Sequence, residues 1–290
     1  MNILTFDTEE WYLERVLFGG REFKYQQYNE AFSKLMDDLD RLNIKATFFC
    51  LGKLASERPD VIRMIAERNH EIGCHSNKHT WLTKMDEKTL KTDTLEAIKA
   101  LEDVSGQKVI SYRSPAFSIT KDNKWAIRVL AECGIEIDSS IFPAAREFGG
   151  YSTFPQDTPC VVCYEGAKLK EYPISITNVL GKTMAYSGGG YFRILPYWLV
   201  KSKIKQRDYN ISYFHLNDLV NQKFKLKSRK EYEDYFNEPG TLKNRLMRYF
   251  KSNIGNADGY GKLVKLMSDF PFTSIRDCGF DWKNVKTIEL

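Results

Sequence analysis

The chain opens on the sequence NILTFDTE at residues 2–9, and this stretch decides the class of fold. Residues 3–6 favour a β-strand because branched and aromatic side chains are frequent in them. Two acidic residues, Asp7 and Glu9, come at the end of this apolar run. In α/β proteins the carboxyl ends of parallel strands meet at one edge, where binding and catalytic groups collect. The first strand therefore predicts a candidate site at its own end.

The same pattern recurs along the first half of the chain. Short apolar runs alternate with amphipathic stretches up to about residue 142, which is typical of repeated β/α units. His75, Arg113 and Asp138 also follow the last apolar residues of predicted strands. Residues 143–193 are rich in Pro and Gly and favour loops. The pattern predicts an α/β fold in one domain over residues 1–290, with 220–290 as a less diagnostic helical extension.

The composition limits the classes of protein. With 290 residues, of which 42% are hydrophobic and 28% charged, the chain can bury a large core, and wholesale disorder is excluded. No apolar run approaches the ~20 residues of a membrane helix, and the N-terminus lacks the pattern of a cleaved leader. Six cysteines, most of them in apolar runs, favour reduced thiols. We expect a cytoplasmic protein.

Positive charge is concentrated in one segment. Residues 201–251 hold thirteen Lys and Arg against six Asp and Glu, whereas the whole chain has a net charge of +5. One interpretation is a solvated helical face. Another is a patch that attracts an anionic glycan, a nucleotide or a lipid phosphate, which includes peripheral contact with a membrane. No nucleic-acid motif accompanies the segment, so nucleic acid is not expected as a partner.

Two of the four histidines form the motif His75-Ser-Asn-Lys-His79. On one helical turn, imidazoles four residues apart face the same way and can share a metal ion. The alternative is a pair of solvated turn histidines. The acidic residues after the first strand favour the metal, because two imidazoles and one carboxylate form an open site. Zinc in such a site lowers the pKa of its water toward ~7.

Five motifs, in this order, resemble those of the polysaccharide deacetylases of the NodB-homology type. They are Asp7-Thr-Glu9, His75-Ser-Asn-Lys-His79, Arg113-Ser-Pro115-Ala-Phe117, Asp138-Ser-Ser140 and the late His215. The stretches EYPIS at 171–175 and GGGYFRILP at 188–196 resemble the branch associated with bacterial exopolysaccharide synthesis. The resemblance spans residues 3 to about 218.

This resemblance implies a deformed (β/α) barrel of about seven strands, with a divalent metal, most often Zn²⁺. It also implies hydrolysis of an acetamido group on a sugar. Carried over by position, Asp7 matches the general base, Arg113 the residue that orients it, and His215 the general acid. His75 and His79 match the metal ligands. Amide hydrolysis requires a nucleophile, a polarised carbonyl and a proton for the leaving amine. The metal and these residues together can supply all three.

The sequence departs from the family pattern in two places. Thr8 follows Asp7 where many members have a second aspartate on the metal, so Glu9 or Glu10 takes that role here. Alternating strand geometry places Asp7 and Glu9 on the same face, which favours Glu9. After His215 the chain reads Leu-Asn-Asp, where members commonly have proline followed by an acidic residue.

Further residues have two interpretations each. Asp138 either tunes His215 or caps the turn formed with Ser139 and Ser140. Four residues are candidates for binding the sugar, although core packing or an ordinary turn is the alternative for the aromatic ones. They are Trp11, Pro115, Phe117 and Tyr191.

From these residues we expect a metal-dependent de-N-acetylase that acts on a bacterial surface polysaccharide or on its lipid- or nucleotide-linked precursor. A peptidoglycan fragment or a small cyclic amide is an alternative substrate on the same fold. Two histidines and a carboxylate also suit Fe(II) and oxygen chemistry. A catalytically silent glycan-binding protein is a further alternative, and the sequence leaves the oligomeric state open.

Overall fold

The computed structural model describes residues 1–146, 149–179, 181–220, 225–236, 239–253 and 258–290. Within these ranges, β1 to β5 are Asn2–Thr8, Thr47–Cys50, Glu71–Cys74, Ser111–Tyr112 and Ile137–Asp138. The later strands, β6 to β11, are Cys160–Tyr164, Ala167–Glu171, Ile176–Val179, Lys182–Ala185, Asn210–His215 and Thr287–Glu289.

Nine of these strands form one sheet in the order β10-β1-β2-β3-β4-β5-β7-β6-β11. The seven strands from β10 to β7 all run parallel, whereas β6 runs antiparallel to β7 and parallel to β11. The two remaining strands, β8 and β9, pair as a separate hairpin. The predicted α/β fold is confirmed, and its parallel part has the expected seven strands.

Helices connect most of the parallel strands. In the first half they are α1 Glu10–Phe18, α2 Glu22–Arg41, α3 Gly52–Glu57, α4 Pro59–Glu67, α5 Glu87–Ser105 and α6 Trp125–Glu132. In the second half they are α7 Gly189–Ile194, α8 Tyr197–Lys205, α9 Leu216–Leu219, α10 Arg229–Phe236, α11 Leu242–Asn253 and α12 Gly259–Asp269. The amphipathic pattern explains α2, which buries Phe32, Leu35, Met36 and Leu39.

The parallel sheet curls until its two ends meet. The backbone N–H of Ile211, in β10, donates to Oγ of Ser175, which follows β7, at 2.9 Å. The hydroxyl of Tyr209 donates to the carbonyl of Pro173 at 2.6 Å. On the same strand, the N–H of Tyr213 donates to the carbonyl of Ser187. These bonds close a deformed barrel of the kind that the resemblance implies.

Residues 272–276 cover the amino ends of the barrel strands. The N–H of Leu4 donates to the carbonyl of Thr273 at 3.0 Å, and the N–H of Ile275 donates to Oγ1 of Thr47 at 2.8 Å. The buried carboxylate of Glu71 accepts from the N–H of Arg276 at 2.8 Å. This end of the barrel is therefore filled, and the opposite end holds the polar residues that follow the strands.

The basic segment 201–251 lies mostly within the described residues, in α8, α10 and α11. Positions 221–224, 237 and 238 of that segment lie outside them. Among the helices that the structure describes, none combines the length and apolarity needed to cross a bilayer.

Candidate metal centre and active site

The carboxyl ends of the parallel strands bring the candidate residues together. Asp7 lies near the end of β1 and Glu9 directly follows that strand. His75 follows β3, Arg113 follows β4, and His215 ends β10. Because β1 and β10 are neighbours, Asp7 and His215 are opposite each other in the strand register.

Glu9, His75 and His79 form a compact group of metal-ligating atoms. Oε2 of Glu9 lies 2.7 Å from Nε2 of His79 and 3.2 Å from Nε2 of His75. One ligand atom from each residue lies within 4.8 Å of the other two. His75 is buried and His79 is partly exposed. The donor atoms therefore converge on one point near the protein surface.

The tautomer of His75 is fixed by the backbone. Nδ1 of His75 lies 2.7 Å from the carbonyl oxygen of Arg113, which can only accept a hydrogen bond. The proton of a neutral imidazole therefore sits on Nδ1, and the lone pair of Nε2 points toward Glu9. Metal-ligating histidines are commonly oriented by such a bond from the other ring nitrogen.

The two imidazoles converge through a loop, so the expectation of a helical turn is wrong. Ser76 and His79 have φ angles of 67° and 60°, in the left-handed region. The N–H of His79 donates to Oγ of Ser76 at 3.0 Å. Two left-handed residues reverse the chain locally, and spacing in the sequence does not predict them.

Two carboxylates of α5 hold the middle of this loop. The backbone N–H of Asn77 donates to Oδ2 of Asp93 at 2.7 Å, and its side-chain amide donates to Oε2 of Glu96 at 2.7 Å. The carbonyl of Asn77 accepts from the N–H of Lys53 at 3.0 Å. Since Asn77 lies midway between His75 and His79, these bonds fix the separation of the imidazoles.

Replacing Asp93 with alanine is expected to weaken Zn²⁺ binding by about 10–100-fold, the range found when supporting partners of ligands are removed. The loop would lose the acceptor for Asn77 while both histidines stay in the chain. Asp103, whose side chain is exposed on the same helix beside Lys99, provides the matched control Asp103→Ala. Isothermal titration with Zn²⁺ measures both variants, and equal affinities would contradict the supporting role of Asp93.

Asp7 and Arg113 form a buried ion pair. Nη1 of Arg113 donates to Oδ1 of Asp7 at 2.8 Å and also to Oγ1 of Thr5 at 2.7 Å. Both charged side chains are almost fully buried, at 3% and 0% exposure. Burial alone would raise the pKa of Asp7, but Arg113, with His75 and His215, holds it below its ordinary value. Asp7 is therefore an ionised carboxylate held in one orientation.

His215 faces the two acidic residues of the first strand end. Its Nε2 lies 3.7 Å from Oδ2 of Asp7 and 3.8 Å from Oε1 of Glu9. Burial lowers the pKa of an imidazole, but Asp218, Glu9 and Asp7 outweigh it and raise the pKa of His215 to about 10. The imidazole is therefore held as a cation, which is a proton donor.

Asp218 is the carboxylate that orients His215, a role that the ordered motifs alone do not indicate. Its Oδ2 accepts from the N–H of His215 at 3.0 Å and lies 3.4 Å from Nδ1 of the ring. Its Oδ1 lies 3.4 Å from Nε of Arg193. The spacing of three residues at the start of α9 is a capping-box signal, which could have identified Asp218 from the sequence.

Glu10 points away from the two histidines. Its Oε1 accepts from the N–H of Asn217 at 3.0 Å, and its Oε2 accepts from the N–H of Glu9 at 3.3 Å. Burial and the neighbouring Glu9 raise the pKa of Glu10 to about 7. Of the two glutamates, the geometry favours Glu9 as the metal ligand, and Glu10 anchors the start of α9.

Asp138 pairs with Glu171 on the neighbouring strand. Its Oδ1 accepts from Oγ of Ser140 at 2.6 Å, while Oε1 of Glu171 accepts from the N–H of Ile141 at 3.1 Å. Burial raises the pKa of both carboxyl groups, and the charge of Asp138 adds to the effect on Glu171. Oε2 of Glu171 and Oδ2 of Asp138 are buried and have no hydrogen-bond partner among the residues that the structure describes. A proton on Oε2 of Glu171 would let it donate a hydrogen bond to Oδ2 of Asp138. The bond from Ser140 supports the turn-capping interpretation of Asp138.

Replacing Glu171 with glutamine is expected to flatten the dependence of stability on pH. A raised pKa in the folded state means that the free energy of unfolding falls as pH rises from the ordinary carboxyl range. A glutamine amide can still donate to Asp138, and it does not titrate. Urea unfolding between about pH 5 and 9 measures the slope, with Glu136→Gln, an exposed glutamate one residue before β5, as the control. Equal slopes in Glu171→Gln and the unaltered protein would contradict the shared proton.

The four candidate sugar-binding residues differ in exposure. Trp11 is 2% exposed, packs against Tyr28 and Phe32, and donates from Nε1 to Asn29. This places Trp11 in the core, which corrects the expectation that it lines a sugar site.

Pro115 and Phe117 are also buried, in a short 3₁₀ turn after Arg113. The ring of Phe117 packs against Phe142 and Tyr213, so both residues lie in the packed interior. Tyr191, in α7, is partly exposed. Of the four candidates, Tyr191 alone retains surface that a sugar can contact.

The donor set fits a divalent metal. Two imidazole nitrogens and one carboxylate oxygen are the ligands of open zinc sites, and the same set also serves Fe(II). The lone pair of His75 is aimed at this point by its bond to Arg113. Within the part of the chain that the structure describes, this is the one group of three such residues that could hold a metal.

Two family models match the chain. Residues 3–137 match the polysaccharide deacetylase family, and residues 139–279 match a domain of unknown function, DUF3473. The first region contains Asp7, Glu9, both motif histidines and Arg113. His215 and Asp218 fall in the second, so the candidate site draws residues from both regions.

Curated relatives cover part of the chain. A peptidoglycan-N-acetylglucosamine deacetylase from Bacillus cereus is 33% identical over 94 residues, which is 32% of this chain and 34% of that protein. A chitooligosaccharide deacetylase from Sinorhizobium fredii is 26% identical over 90 residues, which is 31% of this chain and 42% of that protein. The chain thus spans well under half the length of either relative.

A solved structure from Mycobacterium smegmatis, assigned as a polysaccharide deacetylase, covers 93% of this chain and 91% of its own, at a TM-score of 0.54 and 21% identity. It supports the fold. The family match shows that residues 3–137, the part of the chain that carries most of the ordered motifs, belong to the polysaccharide deacetylase family.

Proposed function

We propose that this chain removes the N-acetyl group from a sugar of a bacterial surface polysaccharide, or of its lipid- or nucleotide-linked precursor, and releases acetate. One observation carries the proposal. The atoms of Glu9, His75 and His79 converge on one point, and Asp7 and His215 lie beside it on adjacent strands. Family membership supports the same reaction.

Two residues of the chain each carry out one proton transfer in this reaction. Asp7 accepts a proton from the attacking water, and Arg113 keeps Asp7 ionised and correctly turned. His215 donates a proton to the amine nitrogen as the C–N bond breaks, and Asp218 holds its ring in place. A divalent ion on Glu9, His75 and His79, which we propose is Zn²⁺, would supply Lewis acidity toward the amide carbonyl.

Peptidoglycan is a second candidate substrate. The relative from Bacillus cereus is named for N-acetylglucosamine in peptidoglycan, whereas the relative from Sinorhizobium fredii is named for chitooligosaccharide. Both names describe N-acetylated sugars, which supports that substrate class for this chain. The resemblance of GGGYFRILP at 188–196 to the exopolysaccharide branch favours a surface polysaccharide.

We also propose that the protein acts in the cytoplasm. All six cysteines are free thiols in the structure, and five of them are buried. Free thiols persist in a reducing compartment.

The test is acetate release from purified protein. Chitooligosaccharides and peptidoglycan fragments are offered in parallel, before and after metal removal by a chelator and after Zn²⁺ is returned. We expect release that is lost with the metal and restored with Zn²⁺. Turnover that survives complete metal removal would exclude the mechanism. Turnover that requires oxygen would favour iron chemistry, and tight sugar binding without turnover would favour a silent binding protein.

A further inference from the structure

The turn between α1 and α2 presents an unusual cluster of exposed apolar side chains. We call residues 16–23 the α1–α2 tip. Four large apolar side chains within these eight residues are each more than a third exposed. They are Val16 at 51%, Leu17 at 42%, Phe18 at 38% and Phe23 at 53%. Such a concentration on one turn marks an interaction site, because scattered single apolar residues are the ordinary case.

The chain reverses at the tip over two glycines. Gly19 and Gly20 have φ angles of 75° and 76°, which side chains other than glycine rarely adopt. The α1 helix ends at Phe18, and α2 begins at Glu22. The exposed rings of Phe18 and Phe23 therefore lie on the two sides of a tight turn.

Cations surround the aromatic rings of the tip. The guanidinium of Arg21 lies 4.5 Å from the ring centre of Phe18 and 5.5 Å from that of Phe23. The ammonium group of Lys227 lies 4.8 Å from the ring centre of Phe18. Arg21 is also paired with Glu14, its Nε lying 2.6 Å from Oε1, so the positive charge added to this apolar surface comes from Lys227.

Lys227 brings part of the basic segment 201–251 to this place. The run KLKSRK at residues 225–230 contains four cations and Leu226, which is 39% exposed. Arg229 and Lys230 pair with acids of α10. Lys225, which is exposed, and Lys227 come before that helix, and the ammonium group of Lys227 lies over Phe18. The charge that was expected to attract a lipid phosphate therefore lies beside an exposed apolar turn.

The exposed apolar side chains and the neighbouring charge together indicate what binds the tip. A symmetric contact with a second copy of the chain would set Lys225 and Lys227 against their own counterparts, and like charges repel. An anionic partner avoids this repulsion. An exposed turn that carries Phe and Leu and has lysines beside it suits the interface of a bilayer, where apolar side chains sink about 5–10 Å below the headgroups.

We propose that the α1–α2 tip inserts into the interface of an anionic bilayer, with Lys225 and Lys227 facing lipid phosphates. The α1 helix that carries the tip begins one residue after Glu9. Its nine residues span about 13 Å at 1.5 Å per residue. Insertion of the tip would therefore hold the candidate metal centre close to the membrane surface, within reach of a lipid-linked saccharide.

The test is co-sedimentation of the full chain with two kinds of vesicle. One kind is phosphatidylcholine alone, and the other contains one third phosphatidylglycerol. We expect binding to the anionic vesicles that weakens at high salt, because screening acts on the exposed cations. Binding needs no turnover, so this result and the outcome of the acetate assay can differ.

Three variants separate the contributions of the apolar side chains and of the cations to vesicle binding. Phe18→Ser combined with Phe23→Ser is expected to lower partitioning by at least about tenfold, since it removes apolar surface. Lys225→Ala combined with Lys227→Ala is expected to lower it by about fivefold per cation. Trp198→Ser is the matched control, because Trp198 is an aromatic residue 69% exposed on α8, and this variant is expected to keep full binding.

Several results would overturn the proposal. The proposal is wrong if the protein does not sediment with anionic vesicles. It is also wrong if the double phenylalanine variant and Trp198→Ser lose the same fraction of vesicle binding. Light scattering provides a further check. A dimer of the unaltered protein that the double phenylalanine variant converts to a monomer would show that the tip is instead an interface between copies.

Discussion

Replacing His75 with alanine is expected to lower the affinity for Zn²⁺ by more than about 100-fold, the upper end of what loss of a supporting partner alone costs a metal site. His75 contributes one of three donor atoms, and the carbonyl of Arg113 fixes its orientation. Glu9 and His79 cannot form a tight site by themselves, because zinc sites of this open class need three protein ligands. Equilibrium titration with a competing chelator measures the affinity.

His70 offers a matched control for this experiment. It is a second buried histidine, and its Nδ1 accepts from the N–H of Ala46 at the far end of β3, outside the donor group. The variant His70→Gln is expected to bind Zn²⁺ as tightly as the unaltered protein. A His75→Ala variant that stays folded and keeps its affinity would show that the ion is held elsewhere.

Replacing Asp7 with asparagine is expected to lower kcat for acetate release by about 10²–10⁴-fold, the range for loss of a general base. Asparagine can accept the hydrogen bond from Arg113, but it cannot accept a proton from water. Since Asp7 is not one of the three donors, Zn²⁺ binding should persist. The two readouts together separate loss of the base from loss of the metal.

Glu10→Gln is the matched control for Asp7→Asn. Glu10 is a buried acid three residues away, and glutamine can still accept from the N–H of Asn217. This variant is expected to keep kcat within about fivefold, because Glu10 faces α9 and has no assigned proton transfer. A strong loss in Glu10→Gln, with little loss in Asp7→Asn, would assign the base to Glu10 instead.

The sequence predicts the positions of the central residues well, for a physical reason. Asp7, His75, Arg113 and His215 come at or just after the ends of apolar strands, and parallel strands end at one edge of the barrel. Strand alternation also favoured Glu9 over Glu10, and the structure places Glu9 against the histidines. Local sequence patterns identify these residues. The order of the strands in the sheet is then enough to bring them together.

The supporting contacts are not predictable in this way. Asn77 meets Asp93 across sixteen residues, and Asp138 meets Glu171 across thirty-three, because helix packing and strand register decide which side chains touch. Burial determines whether an aromatic residue such as Trp11 lines a pocket or packs in the core. Trp11 follows two acidic residues as a pocket wall would, but the face of α1 on which it lies packs against α2. The neighbours of a residue in the folded protein determine which side chain it contacts and whether it is buried. The pattern of residue types along the chain does not encode those neighbours.

Anomalous diffraction from crystals grown with Zn²⁺, recorded on both sides of the zinc absorption edge, tests the central claim most directly. We predict one strong peak per chain, at about 2.0–2.2 Å from Nε2 of His75, Nε2 of His79 and a carboxylate oxygen of Glu9. The carboxylate of Asp7 should lie beside the peak while it remains paired with Arg113. A fully occupied zinc peak bound by other residues, with these three side chains apart, would contradict the account.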